Sequence, residues 1–83
     1  MSTFEESQAI ILEATALRAR GQYREAIEQI RKNFDRIDPD VHLNARKEIF
    51  EAAKKLGDLA LAKQMAQEIA VEHPNLPSIQ GYL

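Results

Sequence analysis

The residues able to do chemistry are few and widely spaced. His42 and His73 are the only histidines in 83 residues, and 31 positions separate them. A metal centre draws three or four ligands from His, Cys, Asp and Glu at short helical or loop spacing. Neither histidine has such neighbours, and the chain has no cysteine. His42 is expected in the first turn of one helix and His73 in the last turn of another, where the macrodipole favours an imidazolium. Ser2, Ser7 and Ser78 have no nearby base to activate a hydroxyl. Glu5 and Glu6 form an acidic pair at a helix start, suited to the dipole and not to an acid–base dyad. There is no Gly-rich phosphate loop. The expectation is a chain that is not an enzyme and holds no metal and no cofactor.

The elements that carry these residues follow from composition and pattern. At 83 residues the chain supports one domain. Hydrophobic residues make up 45%, enough for a core, with Ala abundant and β-branched and aromatic residues sparse, which favours closely packed helices over a sheet. The absence of cysteine fits a reducing cytoplasm, the expected location. The segment Met1-Ser2-Thr3-Phe4-Glu5-Glu6 lacks the basic start of a signal peptide, and no apolar run reaches the ~20 residues of a membrane span. The Met1 start and the length are those expected of a complete small protein.

Four helices are expected. Thr3 is placed as an N-cap with Glu6 three residues on, the form of a capping box. The first helix runs to Arg20 and stops at Gly21 as a C′ residue; Ile10, Ala14 and Leu17 mark its apolar face, widened by Ile11 and Leu12. Tyr23, Ala26, Ile27, Ile30, Phe34 and Ile37 then form one unbroken helical stripe. Asp38-Pro39-Asp40 ends that helix and starts the next. Val41, Ala45, Ile49, Ala52, Ala53 and Leu56 mark the third helix, which Gly57 ends. Asp58 caps the fourth, where Leu59, Ala62, Ala66, Ile69 and Ala70 form the stripe, up to Pro74. Residues 75–83 are expected to be irregular, yet Leu76, Ile79, Tyr82 and Leu83 are apolar and need cover.

The two halves repeat. Gly21 and Gly57 are 36 residues apart, and Pro39 and Pro74 are 35 apart, the period of a helical-hairpin repeat. The run Gly21-Gln22-Tyr23-Arg24-Glu25-Ala26-Ile27-Glu28, followed by Ile37-Asp38-Pro39, resembles the centre of a tetratricopeptide (TPR) repeat. In that family a Gly-x-Tyr-x-x-Ala turn joins helix A to helix B and a Pro closes the unit. The second half matches at Gly57, Ala62 and Pro74, with Leu59 in place of the aromatic. The Trp and Leu-Gly of a TPR helix A are missing from both halves. The resemblance covers about residues 7–75. It implies an all-α fold of two TPR-like antiparallel helix hairpins, about 3–37 and about 40–73, four helices in a right-handed stack with a short apolar C-terminal tail, 74–83.

The resemblance also implies where a partner binds, because such modules use the helix-A face for peptides. Aligned on the turn glycines, that face comprises Gln8, Ile11, Thr15 and Arg18 in the first half and Asn44, Lys47, Glu51 and Lys54 in the second. Asn44 and Lys47, on adjacent turns, suit a carboxylate or an acidic peptide; simple exposure is the other explanation of their polarity. The tail residues Ile79, Tyr82 and Leu83 either cap the open end of the stack or dock on another chain. The basic stretch Arg18, Arg20, Arg24, Arg31 and Lys32 is interleaved with Glu25, Glu28 and Asp35, as a solvated helix face is. With a net charge of −2, neither nucleic acid nor membrane is an expected partner. The expected function is a non-catalytic binder or inhibitor of one protein partner, a peptide or a toxin or effector domain neutralised in the manner of an immunity protein through acidic outer helices. A homodimeric structural protein and a small chaperone or adaptor are the alternatives.

Overall fold

The computed structural model describes residues 3–83. They form four packed α-helices and no strand: α1, Phe4–Ala19; α2, Tyr23–Lys32; α3, His42–Leu56; and α4, Leu59–Ala70. Short 3-10 turns cover Phe34–Arg36, Pro39–Val41 and Pro77–Tyr82. α1 packs on α2, α2 on α3 and α3 on α4, with a lighter contact between α1 and α3. Short turns between extensively packed neighbours make two antiparallel hairpins.

Local chemistry sets the ends. Thr3 Oγ1 accepts from the Glu6 N–H at 3.0 Å, satisfying one of the donors left free at a helix start. The Glu6 carboxylate does not complete a capping box; it accepts from Arg36 Nε at 3.0 Å. Gly21 and Gly57 take φ of 80° and 84°, left-handed values that close each hairpin and that a side chain disfavours. Asp58 caps α4, accepting from the Leu61 N–H at 3.1 Å.

The second helix is shorter than the stripe predicts. It ends at Lys32, and Phe34–Arg36 continues as a 3-10 turn. Asn33 Nδ2 donates to the Gln29 carbonyl at 2.8 Å, a side-chain alternative to the helical ladder, and Asp38 is extended before Pro39, as Pro requires. Ile37 stays on the buried side at 3% exposure, so the stripe is right about burial and wrong about the element. The Phe34 ring lies against His42, centroids 4.4 Å apart, and under the Arg46 guanidinium at 5.3 Å.

α4 ends at Ala70, short of Pro74, so His73 lies beyond the helix and not in its last turn. The tail is not irregular. Pro77–Tyr82 folds back on α4, Ile79 is fully buried, and Gln80 Nε2 donates to the Pro74 and Leu76 carbonyls at 2.8 and 3.1 Å. The core runs through both hairpins and this cap. Leu12 and Leu59, expected on apolar faces, are instead 67% and 65% exposed. Phe50, which the third stripe omits, is fully buried.

Candidate functional site

The site is built from α1 and α3, the first helix of each hairpin. At 100° per residue, Phe4, Gln8, Ile11, Leu12, Thr15 and Arg18 fall on one broad side of α1, away from Ile10 and Ala14. α3 offers Asn44, Glu48 and Glu51 on the facing side, with Lys47 beside them. The two helices meet at one end of this face and part at the other.

The closed end is an ion-pair clamp. Arg18 Nε donates to Glu48 Oε2 at 2.8 Å and Arg18 Nη2 to Glu48 Oε1 at 3.2 Å, a two-pronged pair of the kind that fixes geometry. Thr15 Oγ1 lies 2.9 Å from the same Oε1. The hydrogen bond to Glu48 holds the Arg18 guanidinium above its ordinary range, outweighing the opposing effect of burial. Arg18, predicted to meet a partner, is therefore committed to α3.

The open end is a groove of about 270 Å³ lined by Phe4, Gln8, Ile11, Leu12, Val41 and Asn44. Its lining is mainly apolar, with the amides of Gln8 and Asn44 as its polar groups. Phe4 is 53% and Leu12 67% exposed. No described residue covers them. Lys47 stands half-buried one turn on from Asn44 and forms no ion pair with a described residue.

The other predicted residues divide. Lys54 Nζ lies 3.1 Å from Glu51, 4.6 Å above the Phe50 ring and 5.7 Å above the Tyr82 ring. Tyr82 meets Phe50 edge-on at 5.1 Å. Tyr82 thus ties the tail to α3 through Phe50 and Lys54, while Glu51 pairs with Lys54 within α3. Ile79, predicted as a possible partner contact, is core in this fold and presents nothing to a partner. Leu83 stays half-exposed beside Leu59 and Lys63. Of the carboxylates expected to face a basic protein, Glu6 and Glu68 are paired with Arg36 and Arg46.

No group of three or more His, Cys, Asp or Glu is placed to hold a metal ion among the described residues. The His42 Nε2 is 3.0 Å from the Ile37 carbonyl, and the buried Ser7 hydroxyl accepts from the Asp38 N–H at 2.8 Å. Both bind backbone. No described helix is long and apolar enough to cross a membrane.

Of the groove residues, Gln8, Ile11 and Asn44 come from the repeat alignment. Phe4, Leu12 and Val41 do not, although a helical wheel centred on Gln8 places Phe4 and Leu12 beside it. Comparison with protein-family models, curated proteins and solved structures found no match.

Proposed function

We propose that this chain is a non-catalytic protein-binding module of two TPR-like hairpins, taking an apolar side chain of one protein partner into the groove between α1 and α3. The observation that carries this reading is the pair Phe4 and Leu12, large apolar residues left more than half exposed on either side of the Gln8 and Asn44 amides. Exposed aromatic and aliphatic anchors around a few oriented polar groups are what an interaction hot spot requires. Lys47, in no ion pair with a described residue, adds a cation at the edge, which suits a carboxylate next to the inserted residue. A toxin or effector domain is one class of partner that a small dedicated binder of this kind serves.

The test compares captured proteins by quantitative mass spectrometry for the wild type, Leu12→Asp and Val71→Asp. Val71 is 82% exposed on the far hairpin, so its variant controls for added charge. The expected result is a partner retained by wild type and Val71→Asp and lost with Leu12→Asp. An identical set from all three removes the groove as the site. Light scattering at two concentrations belongs beside it: a mass of twice 9.4 kDa that Leu12→Asp halves would assign the groove to self-association.

A further inference from the structure

A second cavity lies on the other side of α3, between α2 and α4. Arg46 and Ile49 leave α3 on the side away from Asn44 and Lys47. They line the cavity with Arg31 and Phe34 from the first hairpin and Gln64 and Met65 from α4. Two guanidinium groups from different helices therefore border one cavity, with Phe34, Ile49 and Met65 as its apolar lining and Glu68 as its one carboxylate. Like charges brought together without partners are unfavourable, so their surroundings decide what the cavity is for.

Arg46 is held in place and incompletely satisfied. Its guanidinium lies over the Phe34 ring, a contact that orients the plane. Its Nε is buried with no hydrogen-bond partner among the described residues; Glu68 Oε1 approaches to 3.4 Å without forming a hydrogen bond. The second Glu68 oxygen accepts from Gln64 Nε2 at 3.0 Å. Arg31 is exposed and forms no ion pair with a described residue. Two cations and one anion leave the lining at +1, which matches one negative charge and not a dianion.

Size narrows the ligand further. The cavity measures about 190 Å³, below the range of roughly 300–1,000 Å³ that suits drug-sized ligands. It is room for about one side chain. Ile49, Met65 and Phe34 favour an aliphatic body, and arginine is the residue best fitted to the planar, two-oxygen geometry of a carboxylate.

We propose that the cavity between α2, α3 and α4 binds a monocarboxylate on a small aliphatic body, with Arg31 and Arg46 on the carboxylate and Ile49 and Met65 on the body. A peptide C-terminus and a free short-chain acid share this chemistry. The proposal is independent of the α1/α3 groove and stands or falls separately from it.

Titration followed by NMR of the full chain tests it, with N-acetyl-leucine, N-acetyl-leucinamide, 4-methylpentanoate and inorganic phosphate as probes. The expected result is saturable shifts of the Gln64 side-chain amide and the Met65 methyl with the two carboxylates. Affinity for N-acetyl-leucinamide should be at least about tenfold weaker, and Arg31→Gln should weaken the carboxylates by a similar factor, one tenfold step being about 1.4 kcal/mol. Arg31→Lys should recover part of that loss, since the charge returns without the planar fork. Tighter binding of N-acetyl-leucine than of 4-methylpentanoate points to a peptide end as the natural source; the reverse order points to a free acid. Equal shifts with the amide, unchanged affinity in Arg31→Gln, or tighter binding of phosphate than of either carboxylate each overturn the proposal. Arg31 is exposed and in no ion pair with a described residue, so its variants test binding without testing folding.

Discussion

Ser7 shows how much one side chain fixes here. It is the one buried polar residue among those described, and its hydroxyl accepts the Asp38 N–H across 31 positions. That N–H lies just before Pro39, which has no N–H of its own to contribute. One residue earlier, Glu6 takes Arg36. The start of α1 is thereby tied to the segment that joins the hairpins. Replacing Ser7 by Ala keeps the volume nearly constant and leaves the part-buried Asp38 N–H without its partner, a loss of about 1–3 kcal/mol. Urea denaturation should show the midpoint falling with the slope unchanged. Ser7 carried no signal in the sequence beyond its poor prospects as a nucleophile, because its partner is a backbone group more than thirty residues away.

At the scale of elements, the hairpin turns were legible and the helix ends less so. Gly21 and Gly57 mark the turns because a positive φ is a local demand that only a few residue types meet cheaply. A Cβ built at Gly57 meets nothing within 4 Å, so Gly57→Ala should cost only the backbone strain, about 1–2 kcal/mol, with the fold otherwise unchanged. A much larger loss in thermal unfolding would mean that the turn is also packed. The ends of α2 and α4 were misplaced for a different reason. Periodicity reports which side of a segment is buried, and a 3-10 turn keeps Phe34 and Ile37 on that side without the helical ladder. The Asn33–Gln29 hydrogen bond that helps end α2 competes with helix on terms a hydrophobic pattern does not record.

At the scale of the whole molecule, the question is how two hairpins manage with an uncovered end. Stacked hairpin arrays usually need three or so units to bury a continuous core, and this fold has two hairpins. The Pro77–Tyr82 turn supplies the missing cover at the α4 end, with Ile79 buried and Tyr82 against Phe50. Ile79→Ala should lower stability by about 2–4 kcal/mol, and deletion of residues 76–83 should lower the melting temperature by at least as much as that substitution. An unchanged melting temperature in either variant would show that the tail is not a cap. Among the described residues the α1 end has no such cover, so Phe4 and Leu12 face solvent, and the proposed groove lies there.

The sequence by itself determined four helices, the two glycine turns, the Thr3 and Asp58 caps and the Asp38-Pro39 break. Each depends on contacts a few residues apart, on φ preferences and on helical period. Only the tertiary structure decided which apolar residues are covered. Phe50 and Ile79 are buried where the tail returns, while Leu12 has no described segment over it and Leu59 has only the half-exposed end of the tail beside it. The same holds for charge. Arg18 looked free until Glu48 closed on it, and Arg46 was unremarked until α2 and α4 brought Arg31, Phe34 and Gln64 around it. Burial and ion pairing depend on segments far apart in sequence, 30 positions for Arg18 and Glu48 and 22 for Arg46 and Glu68, and no local pattern carries such distances.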